Sequence, residues 1–168
     1  MRCVPVCFIL AAAACGDVAA PPSHLTDPAT SLAVGRDGAP PTVFNVELRA
    51  ENEPNGASTS ESKGQAQVRV LDDGTIEFLF TINNKSGETY NRAHIHKAPA
   101  GMNGPIHWDF LEAGDPVASI SDQPSQLRGT ARPRADAVLA DLLANPDQYY
   151  VNVHSTVFPG GSVRGQLR

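Results

Sequence analysis

An all-β fold is what this chain predicts: an antiparallel Greek-key β-sandwich or barrel with one short helix in a crossover. Three observations carry that expectation. Apolar and polar residues alternate with period two in segment after segment, as in strands with one buried face. Fourteen prolines and fourteen glycines among 168 residues separate those segments, which suits short strands and turns better than a helical bundle. A single stretch carries apolar residues at helical spacing.

Taken in order, Phe44, Val46, Leu48 and Ala50 alternate with Asn45, Glu47 and Arg49 and form the first strand. A polar loop over 51–62 leads to Ala66, Val68 and Val70, and Asp72-Asp73-Gly74 supplies a tight turn into Ile76, Phe78, Phe80 and Ile82. These three segments predict an antiparallel meander with one wet face. After a turn over 83–88, residues 90–98 place Ala93 and Ile95 on one side and His94 and His96 on the other. The run 99–105 holds too many breakers for regular structure, and short strands are expected at 106–111, 117–120 and, more weakly, 127–131. Residues 134–144 read as the helix, with Val138, Leu139, Leu142 and Leu143 on one face and Asn145-Pro146 as the stop. Strand returns over 149–154, and Phe158-Pro159-Gly160-Gly161 turns the chain into a last strand at 162–167.

The N-terminus has a different character. Cys3, Cys7 and Cys15 are all the cysteines, and a basic start, an apolar run and four alanines precede Cys15-Gly16. That order describes an export signal. The small residues ahead of Cys15 resemble the lipobox of bacterial lipoproteins, although Ala12 stands where a bulky aliphatic residue is usual. The resemblance implies a signal peptide over 1–14, cleavage before Cys15 and lipid on its thiol, with an outer-membrane location. Ordinary cleavage near Ala19-Ala20 is the alternative. Residues 15–41, rich in alanine and proline, read as a tether, and 42–168 as a single domain. A formal charge of −5 and a pI near 5.4 exclude the basic footprint of a nucleic-acid binder.

Two motifs together resemble the CHRD domain. Ala93-His94-Ile95-His96-Lys97-Ala98-Pro99-Ala100-Gly101, followed by Asn103-Gly104-Pro105, is similar to its HIHGPA…GP signature. Tyr149-Tyr150-Val151-Asn152-Val153-His154-Ser155, followed by Pro159-Gly160-Gly161-Ser162-Val163-Arg164-Gly165-Gln166-Leu167, is similar to its closing YYVNVHT…PGGEIRGQL. Lys97 in place of glycine and His107-Trp108 in place of aliphatic residues are local departures. The resemblance covers about 43–167 and implies the β-rich fold, with Pro99, Gly101, Gly104, Pro105, Asn152, Pro159, Gly160, Gly161, Arg164 and Gly165 as motif residues. It names no activity.

Chemistry rests with the histidines. His94 and His96 are two apart on a strand, so they share a face with Cα atoms about 7 Å apart. His154 lies on a second motif strand, and three imidazoles that converge form a candidate copper or zinc site with a further position for water or substrate. His107 is a fourth candidate ligand. The layout is also similar, distantly, to the copper half of copper-zinc superoxide dismutases, but their zinc loop and disulfide are not recognisable here. Histidines that merely hydrogen-bond loop carbonyls are the competing reading.

No nucleophile elbow, phosphate loop or calcium loop is present in the sequence. Arg164 is expected to hydrogen-bond the motif loop, and Trp108 and Phe158 to sit in the core. The functional expectation is therefore an exported, lipid-anchored, non-enzymatic binding or structural module whose ligand is an unidentified protein or polysaccharide. The alternative is a copper- or zinc-binding protein, as carrier or dismutase-like enzyme.

Overall fold

The computed structural model describes residues 40–113 and 125–168. The expectations for the signal, for Cys15, for most of the tether and for a strand at 117–120 lie outside the described residues.

Among the described residues the chain forms nine strands, β1 (Thr42–Arg49), β2 (Lys63–Val70), β3 (Ile76–Asn83), β4 (Tyr90–Lys97), β5 (Ile106–Leu111), β6 (Ser125–Thr130), β7 (Arg132–Pro133), β8 (Tyr149–Ser155) and β9 (Val163–Gln166), and one α-helix, α1 (Leu139–Ala144), between β7 and β8. The meander behaves as its alternation requires. Phe44, Val46 and Leu48 of β1 are buried while Asn45, Glu47 and Arg49 face solvent. The β2–β3 turn needs its glycine, because Gly74 has φ +81°, and the Thr75 N–H donates to Asp73 Oδ1 at 2.9 Å.

The helix is shorter than the expected 134–144. It begins at Leu139, because Val138 just ahead of it holds extended dihedrals (φ −118°, ψ 100°) that break the helical run. Residues ahead of Val138 are thereby withheld from the helix. Ala50 likewise leaves the first strand early, starting a 3₁₀ turn over Ala50–Asn52 that a second, Pro54–Gly56, follows.

All nine strands belong to one antiparallel sheet in the order β6-β3-β2-β1-β9-β8-β4-β5-β7. Its two edge strands, β6 and β7, are separated in the chain by Ala131 alone. A sheet whose opposite edges are one residue apart must curl until they meet, and the result is a nearly closed barrel. Phe110 on β5 confirms the curvature: it packs against Phe78 at 4.6 Å and Phe80 at 5.1 Å between ring centroids, although β3 and β5 are distant in sheet order. The barrel interior is one apolar core that also takes in Trp108, Leu142 and Tyr149.

Strands β4 and β8 differ from the meander. Every residue of β8, and Ala93 through His96 of β4, is buried, so both faces of the sheet are covered there. The barrel interior covers one face. Loops cover the other, and the histidines lie beneath them.

Candidate metal centre

The register of β4 against β8 pairs Arg92 with His154, His94 with Asn152 and His96 with Tyr150. Paired residues share a face, so the three histidines project together from adjacent strands, on the side opposite Ala93, Ile95, Val151 and Val153.

The 98–105 loop closes over that side through bonds from all three neighbouring strands. Lys97 N–H donates to the Pro105 carbonyl at 3.0 Å, Gly104 N–H to the Tyr150 hydroxyl at 3.2 Å, and Gln166 Nε2 to the Ala98 carbonyl at 3.0 Å. Arg164, 1% exposed, donates to Asn103 Oδ1 at 3.0 Å and to the Met102 carbonyl, while its guanidinium carbon lies 3.3 Å from the Tyr150 ring centroid. Tyr150 in turn stacks on His96 at 4.8 Å with ring planes 7° apart. Gly104 has to be glycine, since a Cβ there would collide with the Lys97 carbonyl.

One ring nitrogen from each of His94, His96 and His154 lies within 4.8 Å of the others. Each ring has a second nitrogen that meets a group able only to accept. His96 Nδ1 faces the Gly104 carbonyl at 2.9 Å, His154 Nδ1 faces the Pro159 carbonyl at 3.0 Å, and His94 Nε2 faces Glu112 Oε1 at 3.0 Å. An acceptor-only partner requires the proton on the nitrogen that meets it. In the neutral ring the remaining nitrogen is then a bare lone pair.

The three lone pairs turn toward one another. His94 Nδ1 and His154 Nε2 are 3.1 Å apart, and His96 Nε2 is buried with no hydrogen-bond partner. Adding protons is disfavoured. Burial, reinforced by the neighbouring imidazoles, pushes each of the three histidines down to about 4. Two lone pairs at 3.1 Å repel, and a cation between them converts that repulsion into ligation. The spacing is close to the roughly 3.3 Å expected between two nitrogens each about 2.0–2.1 Å from zinc.

Around Glu112 lies a second group of ligand types, His94 with Asp109 and Glu112. Both carboxylates bond to Arg134, which donates through Nη2 to Asp109 Oδ1 at 2.7 Å and to Glu112 Oε1 at 3.1 Å, and through Nε to Asp109 at 3.0 Å, and Arg92 Nε lies 3.9 Å from Glu112 Oε2.

His107 stands apart from the three, its Nδ1 3.1 Å from the Asp136 carbonyl. Of the motif residues, Pro159 contributes the carbonyl that holds His154, Gly104 the carbonyl that holds His96, and Pro105 the loop closure. Gly101, φ +79°, and Gly161, φ +140°, turn their loops, whereas Gly160 has open space around it. A Cβ at Gly165 would strike the Glu47 carbonyl. Asn152 lies beside the buried carboxyl of Glu53, which burial raises to about 7 against the pull of Arg164 and of Asn152's hydrogen bond. Pro99 lines a surface cleft with Ala100, Glu51 and Arg164.

Sequence reasoning missed Glu112, Asp109 and Arg134. None carries a local signal, because each acts through a partner at least 18 residues away that only the folded sheet brings near. Tyr150 was visible as a motif residue, but its stacking role was not.

A family model described as the CHRD domain matches residues 44–167. No curated protein matches the chain, and no solved structure does.

Proposed function

The chain belongs to the CHRD domain family, and from that premise we propose that it binds a transition metal ion, copper or zinc, through His94, His96 and His154. The carrying observation is the tautomer set: three buried rings, each with its outer nitrogen held by an acceptor, aim their lone pairs at one another. Histidines serving only to pin loops satisfy the carbonyls equally well. They have no need to bring Nδ1 of His94 within 3.1 Å of Nε2 of His154. Imidazole nitrogen suits copper and zinc alike. The role that fits a site with all three ligands buried is holding and handing on an ion rather than turning over a substrate.

The same proposal places the protein at the cell envelope. An export signal over 1–14 and lipid on Cys15 would tether the domain to the outer membrane through 15–41. Support for this is the order of residues ahead of Cys15. Labelled palmitate incorporated into the wild type and lost in Cys15→Ala is the expected result, and an unlabelled wild type overturns it.

A second reading, an interaction module for a protein or polysaccharide, is favoured by one observation. A cleft of about 890 Å³ is lined by the polar side chains of Asn45, Glu51, Asn55, Asp147 and Gln166 beside Pro99. Shifts in backbone amide resonances around this cleft on addition of envelope polysaccharide would support it.

The metal reading is tested by melting the purified protein with Cu(II), with Cu(I) under reductant and with Zn(II). Ion at 100 times its dissociation constant stabilises by about 2.7 kcal/mol. The expected result is a raised melting temperature in the wild type and none in His94→Ala/His96→Ala. A wild type that none of the three ions stabilises rules the reading out.

A further inference from the structure

The three candidate ligands are not held alike. His96 and His154 are oriented by the backbone carbonyls of Gly104 and Pro159, which no side-chain replacement removes. His94 is oriented by a side chain, Glu112, at the end of β5. We propose that Glu112, clamped by Arg134, is the positioning residue that makes Nδ1 of His94 the ligating nitrogen and thereby sets how tightly the centre holds its ion. The inference rests on the metal reading above.

Glu112 meets His94 on one side and Arg134 on the other, with Arg92 Nε 3.9 Å from its second oxygen. Its Oε1 accepts the hydrogen bond from His94 Nε2 at 3.0 Å and also accepts from Arg134 Nη2 at 3.1 Å, so one oxygen ties the imidazole to the guanidinium. Asp109 cannot substitute in place, since its Oδ1 lies 3.9 Å from His94 Nε2 and is occupied by Arg134. The two carboxylates next to His94 resemble a second cation site, but Arg134 already bonds to both. Glu112 therefore serves the three-histidine centre by orienting His94 and by making its ring a stronger donor, while Asp109 holds Arg134 in place. Losing the acceptor frees the His94 proton to move to Nδ1, where it blocks the ligating lone pair.

The test uses Glu112→Ala, the conservative Glu112→Asp, and Arg134→Ala. Glu112 is a third exposed, so its removal leaves the core untouched. Two readouts are taken. Metal affinity, by competition with a chromophoric chelator, is expected to fall 10- to 100-fold in Glu112→Ala, to fall less in Arg134→Ala, and to recover in part in Glu112→Asp. In the metal-free protein, long-range ¹⁵N–¹H correlation of the imidazoles is expected to show His94 protonated on Nε2 in the wild type and mixed in Glu112→Ala. His96 and His154 stay protonated on Nδ1 in both. Wild-type affinity in Glu112→Ala, or an unchanged His94 tautomer, overturns the proposal. A wild type that binds neither copper nor zinc defeats the metal reading instead, and the tautomer spectrum still decides the role of Glu112.

Discussion

Arg164 ties the loop after β4 to the floor of the site. It stacks on Tyr150, donates to Met102 and Asn103, and lies near the buried Glu53 carboxyl. Arg164→Met removes all three and leaves the buried Glu53 carboxyl without its neighbouring cation, so a loss of about 2–4 kcal/mol is expected in urea unfolding. Arg164→Lys keeps the charge but not the planar stack and still costs about 1–2 kcal/mol.

The buried titrating groups pull stability in opposite directions with pH. His94, His96 and His154 sit near 4 when folded against 6.5 ordinarily, so between those values the unfolded chain binds more protons. Their contribution is complete above about 6.5 and is lost as pH falls toward 4. Glu53 is the reverse. With a folded value of about 7 against 4.5, its contribution is complete below 4.5 and is lost as pH rises through 7. Urea midpoints with chelator present are expected to drop from pH 7 to pH 4.5 in the wild type. Glu53→Gln is expected to gain on the wild type between pH 5 and pH 8, and parallel curves for the two proteins would contradict the buried-carboxyl assignment.

At the scale of elements, α1 shows how little of a short helix need be buried to dock it. Leu142 is its one buried residue, fully enclosed, whereas Leu143 is 41% exposed. Leu142→Ala is expected to cost about 3 kcal/mol and Leu143→Ala less than about 1. Comparable losses for the two would mean that α1 docks by another face. The loop after β4 depends instead on backbone proximity. Gly104→Ala drives a methyl into the Lys97 carbonyl, and a loss of about 2 kcal/mol or more is expected, with the amides of 98–105 losing exchange protection first.

For the whole molecule, closure of the barrel rests on contacts between strands far apart in sheet order. Phe110→Ala removes the ring that joins β5 to Phe78 and Phe80, and a loss of about 3–4 kcal/mol is expected in one cooperative transition. Separate transitions for the β1–β3 meander and for β4–β8 would show that the two halves do not share one core.

The division between sequence and structure follows the range of the forces involved. Period-two alternation located β1 to β3 to within a few residues, because burying one face of a strand is a local pattern. The His94-x-His96 spacing put two imidazoles on one face for the same reason. The late start of α1 was hidden, since the extended backbone of Val138 is not revealed by the helical spacing of Val138, Leu139, Leu142 and Leu143. Sequence by itself determined an all-β domain and nominated the histidines, including His107. Tertiary structure alone decided that β4 lies beside β8 in the register that gathers His94, His96 and His154, and that His107 stands apart. It also decided that Gly104, Pro159 and Glu112 stand within hydrogen-bond distance of the rings' outer nitrogens. Strand pairing, loop closure and hydrogen bonds to carbonyls join positions that no period connects, so they exist only once the sheet has curled.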